Sequence, residues 1–256
     1  MSTGTDRMGL FNQQVRGVIA VARKNALIYY FKPPVLIFGV LFPIFFFLAF
    51  SQGRQLPAVR IVPAMVAMAL WFTASAVGPL VTPWERTART YERLISTPIA
   101  LQAIVAGDVL SGLLFGISFS LLPLLLGLAF TGAAVEGWLL LACGLVLGAF
   151  AFSSLGVLLA APPVQGPSYI MMLSNLVRLP LLFVSGIFVP IGDMPAWARW
   201  MAPISPLSYC SDCIRRAFGE AGYFPLWLSP LMLILFTLVF SWGASRFHAH
   251  SRARGL

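Results

Sequence analysis

The sequence predicts an all-α membrane protein with six transmembrane helices, and three observations predict it. Of the 256 residues, 59% are hydrophobic and only 10% are charged, against roughly 25% charged in soluble domains. The uncharged stretches are long: 33–53, 61–84, 109–135, 137–177 and 221–245. Apolar residues also occupy successive positions, whereas the strands of a membrane barrel alternate apolar with polar.

The elements follow in order. Residues 8–30 are too polar to span but carry a helical period. Phe11, Val15, Val18, Ala22 and Ala26 share one face, and Arg16, Arg23 and Lys24 lie opposite. Such a basic amphipathic helix lies in the membrane interface. It is either a simple anchor or an elbow that also touches a cytosolic partner. Residues 1–33 form this cytoplasmic interface helix, which Lys32-Pro33-Pro34 ends. Residues 34–256 form one six-helix domain. A spanning helix takes about 20 apolar residues, which places spans at about 34–51, 61–81, 109–130, 138–160, 169–189 and 226–245. The fourth and fifth are separated at Ala161-Pro162-Pro163-Val164-Gln165-Gly166-Pro167, a turn cluster.

Between the second and third spans lies a charged island, 85–98. Thr82-Pro83-Trp84-Glu85 reads as a capping box, with Thr82 as N-cap and Pro83 at the first helical position. This predicts a helix over 83–97, stopped by Thr97-Pro98, with Glu85, Arg89 and Glu92 along one face. Before the last span, 193–219 reads as two short helices. Asp193 caps the first, over 195–201. Ser205-Pro206 opens the second, which ends with Arg215-Arg216 and Gly219. Each is too short to cross, and Trp197, Trp200 and Tyr209 suit the headgroup zone. The pair either dips into the outer leaflet or lies flat on the surface.

Basic residues set the orientation. Eleven cluster on one side: Arg7, Arg16, Arg23, Lys24, Lys32, Arg86, Arg89, Arg93, Arg246, Arg252 and Arg254. Five lie on the other: Arg54, Arg60, Arg199, Arg215 and Arg216. The positive-inside rule puts both termini and the island in the cytoplasm. The net charge of +9 is this topology signal. The cations form no continuous surface, so nucleic acid is not a partner. No cleavable signal peptide is expected, and the first span serves as the insertion signal.

Cys143 reads as a small core residue, and Cys210 and Cys213 as buried small residues or a disulfide; no metal site is expected. There is no phosphate-binding loop, H-E-x-x-H or G-x-S-x-G. No carboxylate sits inside a proposed span core, with Asp108 and Glu136 near span ends, which speaks against a proton-driven carrier. The chain is therefore not expected to be an enzyme by itself, and any transport must be driven from outside. Arg178 is the one charge deep in a span, either a contact for an anionic or zwitterionic substrate or a structural contact. Gly112-x-x-x-Gly116 and Gly144-x-x-x-Gly148 permit close helix approach, within the subunit or at a dimer seam. Pro43, Pro63, Pro79 and Pro180 mark kinks, static or flexing. Phe45, Phe46, Phe72, Phe183 and Arg178 are the candidates for a substrate cavity.

Glu85-Arg86…Thr90-Tyr91-Glu92-Arg93-Leu94-Ile95…Thr97-Pro98 resembles the cytoplasmic loop of type-2 ABC exporter permeases. Phe183-Val184-Ser185-Gly186-Ile187-Phe188-Val189-Pro190, then Met194-Pro195-Ala196-Trp197 and Ser205-Pro206-Leu207-Ser208-Tyr209, resembles that family's signature near the fifth span. The resemblance covers nearly the whole chain. It implies a permease in a prokaryotic plasma membrane that pairs with a second permease copy, identical or related, and with two copies of an ABC ATPase that bind ATP and Mg; this chain itself holds no cofactor. It implies that 83–97 is the coupling helix, with Glu85, Arg86, Arg89, Thr90, Glu92 and Arg93 meeting the ATPase. It also implies that Pro195, Trp197, Trp200, Ser205, Pro206 and Tyr209 belong to an outer re-entrant gate. The family commonly has Gly before the Thr of this loop, where this chain has Arg89. The expected activity is ATP-driven export of hydrophobic or amphipathic small molecules, such as drugs, antibiotics or lipids, by alternating access. Export of lipid-linked polysaccharide is the alternative, and a non-transporting scaffold or sensor is the alternative of another class.

Overall fold

The computed structural model describes residues 3–29, 37, 41, 44–45, 58–88, 100–162 and 167–253. Nine α-helices account for most of them: α1 (Thr3–Tyr29), α2 (Ala58–Ala74), α3 (Val77–Thr87), α4 (Leu101–Thr131), α5 (Trp138–Ala160), α6 (Pro167–Phe183), α7 (Ala196–Met201), α8 (Pro206–Ala217) and α9 (Leu228–Ala253). Among the described residues, four helical stretches are long and apolar enough to cross a membrane: Val59–Glu85, Gln102–Thr131, Trp138–Ala160 and Leu228–Phe247. The expected first span lies almost wholly outside the described residues. The expected fifth appears as α6, 17 residues long, followed by turns from Val184 rather than a helix to residue 189.

Helix α5 is the centre of the bundle. It packs against α2, α3, α4, α6, α8 and α9, and 67% of its apolar window is buried, less than the 83% of Val59–Glu85 but well above the 28% of α4 and 17% of α9. Its sequence explains this. Gly144, Gly148, Ala149, Ala151, Ser153, Ser154 and Gly156 are all buried, and small residues let helix backbones approach where side chains would hold them apart. A Cβ on Gly156 would fall on the carbonyl group of Ser75, and one on Gly78 would fall on Gly156. A Cβ on Gly112 or Gly116 would meet Ser153 and Ala74, or Ala74, respectively. One on Gly144 would stand 3.0 Å from Cys213 Cβ, and one on Gly148 2.6 Å from Cys210 Sγ. Both glycine pairs therefore serve packing within the subunit. Bulk fills the space between: Trp71 meets Phe152 edge-on at 4.8 Å.

Several local expectations need correction. Thr82 is not an N-cap, because α3 begins at Val77 and runs through Pro83. The chain breaks earlier, at Ser75-Ala76, where Ser75 Oγ donates to Trp71 O at 2.5 Å and Thr73 Oγ1 to Ala69 O at 2.5 Å. Packing of Val77, Leu80 and Val81 on Phe115 keeps 82–87 in line with the helix, and this outweighs the local cap signal. Pro79 consequently sits in the first turn of α3, where its missing N–H costs nothing. Helix α4 starts at Leu101, not near 109, so Asp108 is interior to a helix rather than at its end. The buried side of α1 is also shifted: Val21 and Asn25 are buried with Ala22, while Val15 is 39% exposed.

At the other end, Asp193 lies in a 3-10 turn, and the N-cap position of α7 is Pro195, with no side-chain cap. Ser205 does stand at the N-cap of α8 with Pro206 next, yet its hydroxyl donates to Leu181 O at 2.9 Å instead of capping. The C-terminus of α8 forms as the sequence predicts. Gly219 has φ of +81°, Gly219 N–H donates to Arg216 O and Glu220 N–H to Arg215 O, both at 3.1 Å, which is a Schellman closure.

Candidate functional site

Three polar clusters lie along the bundle. The first joins α1, α3 and α4. Lys24 of α1 forms an ion pair with Glu85 of α3. Next to it, Asn25 Nδ2 donates to Asp108 Oδ1 at 2.7 Å and to Ser111 Oγ at 3.0 Å. Ser111 Oγ in turn donates to Gly107 O at 2.7 Å. A side chain at Gly107 would strike Val21, its Cβ only 2.7 Å from Val21 Cβ, so this glycine is what lets α1 sink against α4. Gln14 Oε1 accepts the Ala100 N–H at 2.8 Å and so satisfies one of the orphan donors at the start of α4. Asn25 is fully buried, and Asp108 and Glu85 are nearly so. Most buried polar groups are partnered, and these contacts hold α1 against α3 and α4. Sequence reasoning missed Asn25 and Ser111 and read Asp108 only as a carboxylate near a span end. The signal was present: an Asn on the apolar side of an amphipathic helix, and an Asp at the edge of an apolar stretch.

Of the residues expected to meet an ATPase, Glu85 is therefore held by Lys24 at a helix crossing. Arg86 lies in α3. Arg89, Thr90, Glu92 and Arg93 lie outside the described residues.

The second cluster is at mid-bundle. Arg178 is 4% exposed. Its Nη1 donates to Ser75 Oγ at 3.1 Å and its Nη2 to Asn175 Oδ1 at 2.6 Å. The guanidinium lies over the ring of Phe72, 5.7 Å from its centroid. Arg178 thus ties α6 to the break between α2 and α3. Of the cavity candidates, Phe72 joins it. Phe183 is exposed and packs on Phe188 at 5.7 Å, Phe45 is 66% exposed, and Phe46 lies outside the described residues.

The third cluster surrounds α7 and α8. Helix α8 is buried along nearly its whole length and packs against α5, α9 and α2. Tyr209 is consequently not at a surface. Its ring stacks on Phe224 at 4.5 Å, and its hydroxyl donates to Pro203 O at 3.1 Å. Trp197 and Trp200 are exposed, at 66% and 84%. Cys210 and Cys213 are free and buried, and Cys210 Sγ contacts Gly144 O at 3.3 Å. Burial pushes the Cys213 thiol up to about 12 and raises that of Cys210. Asp212 accepts from Tyr223 N–H at 2.6 Å, Arg216 Nε at 3.0 Å and Ser229 Oγ at 3.1 Å. Glu220 pairs with Arg215 at 2.5 Å and with Arg60 at 3.3 Å. A cavity of about 150 Å³ opens between α8 and the turns after α6.

The ion pairs mark opposite ends of one path. Arg60 lies at the start of the helical stretch Val59–Glu85 and Glu85 closes it.

Comparison with known proteins agrees with this architecture. The chain is similar to the inner membrane transport permease YadH of Escherichia coli K12, 26% identical over 212 residues, covering 81% of this chain and 82% of the relative. The YadH of Shigella flexneri matches at the same level. The daunorubicin resistance ABC transporter permease protein DrrB1 of Streptomyces coeruleorubidus is 31% identical over 147 residues, covering 54% of this chain and half of that protein. The ABC-2 type transporter family model matches residues 16–218. That match begins in α1, takes in Lys24, Asn25, Glu85, Asp108, Arg178 and all of α8, and ends just past α8, so the chain belongs to the ABC-2 type transporter family.

Proposed function

We propose that this chain is the permease subunit of an ATP-driven exporter that moves hydrophobic or amphipathic small molecules from the cytoplasm or inner leaflet across a prokaryotic plasma membrane. Two copies enclose the path by alternating access, and two separate ABC ATPases supply ATP and Mg. Six spans cross the bilayer: the four apolar stretches described above, α6, and the segment near 34–51. Both termini are cytoplasmic, and α7 and α8 form a re-entrant pair on the outer side. The likeness to DrrB1, a permease of daunorubicin resistance, favours a drug-like cargo.

One observation carries the reading. The amphipathic helix α1 is not loose at the membrane surface but is pinned to α3 by Lys24–Glu85 and to α4 by Asn25–Asp108. The two elements expected to meet an ATPase, α1 and the 83–97 segment, thereby share one polar crossing. A push on this crossing travels along α3 to the break at Ser75, where Arg178 and Gly156 grip the chain. The absence of a phosphate-binding loop in the sequence assigns ATP hydrolysis to the partner. The test is reconstitution with a cognate ABC ATPase and measurement of hydrolysis stimulated by a candidate amphipathic drug. Glu92→Arg should abolish the stimulation while leaving the chain folded. Stimulated hydrolysis at the unaltered rate would remove 83–97 as the coupling element.

A further inference from the structure

The cavity between α8 and the turns after α6 is a built polar site with unused hydrogen-bond donors. Its walls include Ser185, Gly186, Ser211, Asp212, Arg215 and Tyr223. Asp212 is the carboxylate in that wall, and it is already answered by Arg216, Ser229 and the Tyr223 N–H. Two oxygens offer about four acceptor positions, so it has little left to give a ligand. Arg215 differs. A guanidinium has five N–H donors. Arg215 uses Nε on Glu220 and Nη1 on Gly186 O, the latter a long contact of 3.4 Å. Three N–H groups remain.

Ser211 adds a hydroxyl. It is 3% exposed and, unlike its neighbours, forms no hydrogen bond with any described residue. The hydroxyls of Ser185 and Ser208 donate to Leu182 O and Ala202 O. Ser211 and Arg215 stand four residues apart on α8, and such pairs face one another on a helix surface. The Ser211 hydroxyl therefore keeps its bonding capacity for whatever occupies the cavity it lines.

The surroundings indicate what that is. The volume of about 150 Å³ holds roughly five waters, enough for a phosphate group but not for a drug-sized molecule. Tyr223 of the cavity wall and Trp197, Trp200 and Trp227 are exposed, the residue types that settle at headgroup level. We propose that this cavity binds an oxyanion, the phosphate of an anionic lipid headgroup, through the guanidinium of Arg215 and the hydroxyl of Ser211. The inference rests on the outer placement of α7 and α8 proposed above, and binding is read without transport.

The test uses the full chain purified in detergent with three probes: dioleoyl-phosphatidylglycerol, dioleoylglycerol with the same tails and no phosphate, and inorganic phosphate. Binding is read by native mass spectrometry and by the thermal midpoint. Wild type should retain phosphatidylglycerol and be stabilised by it, and dioleoylglycerol should do neither. Ser211→Ala should weaken this binding about tenfold, the effect of one hydrogen bond to a charged group. Without lipid its midpoint should be unchanged, because no hydrogen bond to a described residue is removed. Arg215→Gln should abolish binding, and Arg246→Gln, in α9 away from the cavity, should not change it. Competition by millimolar phosphate would support the oxyanion site with a free anion as a second occupant. Phosphatidylglycerol binding that phosphate does not displace, but that still needs Ser211, would support the lipid source alone. If neither probe binds wild type, or both bind Ser211→Ala as tightly as wild type, the proposal falls.

Discussion

Replacing Gly78 by Ala tests the close contact at the centre of the bundle. In the native chain, a Cβ at Gly78 would sit 2.5 Å from Gly156 C and 2.6 Å from Val157 N. Ordinary carbon contacts begin near 3.5 Å, so α3 and α5 must separate by about 1 Å to admit the methyl group. The obstructing atoms are backbone, so no rotamer change relieves the clash. Overpacking of this kind costs about 1–3 kcal/mol. For a chain of this length each kcal/mol is worth roughly 2–4 °C, which puts the fall near 6 °C at the middle of these ranges. The assay is tryptophan fluorescence of the purified full chain during heating. Gly192→Ala is the matched control, because nothing lies within 4 Å of a Cβ there and its φ is not left-handed. If Gly78→Ala melts with Gly192→Ala at the wild-type temperature, the backbone contact between α3 and α5 is not as close as described.

Two further outcomes follow from the other clusters. Lys24→Glu should place like charges together beside Asp108 and destabilise the α1–α3 crossing by about 2 kcal/mol, the low side for losing a buried partner because Lys24 is 29% exposed. Combining it with Glu85→Lys should restore the thermal midpoint, and failure to restore would show that the pair is not formed. In a Cys143→Ser background, Cys210 and Cys213 should resist maleimide at pH 8 in the folded chain and react after denaturation. Their folded pKa values lie above the unfolded value of 9.0, so the neutral thiols favour the fold below pH 9. That contribution is lost as pH rises from 9 towards 12.

The legible parts of this fold are those where one physical requirement dominates. Helix α5 could be read to the residue, 138–160, because a long uncharged stretch bounded by Gly137 and a proline cluster has one solution. Gly144 and Gly148 were legible as close-contact positions, but their partners Cys213 and Cys210 were not, being distant in sequence. The capping box at Thr82 misled because local cap chemistry is worth about 1 kcal/mol, less than the burial of Val77, Leu80 and Val81 that keeps α3 continuous. Tyr209 misled in a similar way. An amphipathic ring suits a headgroup zone, but here Pro203 O satisfies its hydroxyl and Phe224 covers its face. At the candidate site, charge pattern marked Glu85 as special without revealing Lys24. Asn25 and Asp108 escaped because a polar residue at the edge of an apolar segment ordinarily signals the segment's end.

The glycine contact between α3 and α5 also has a mechanical meaning. Most helix interfaces carry slack, because side chains between the backbones change rotamer and absorb small displacements. At Gly78 and Gly156 no side chain intervenes, and Ser75, one turn away, is held by Arg178. Force applied across this joint meets hard atoms at once, so the joint is stiff to compression and soft only to sliding along the shared axis. A movement that begins at the Glu85 end must therefore reach the middle of the bundle as translation or tilt of whole helices, with little lost to local repacking.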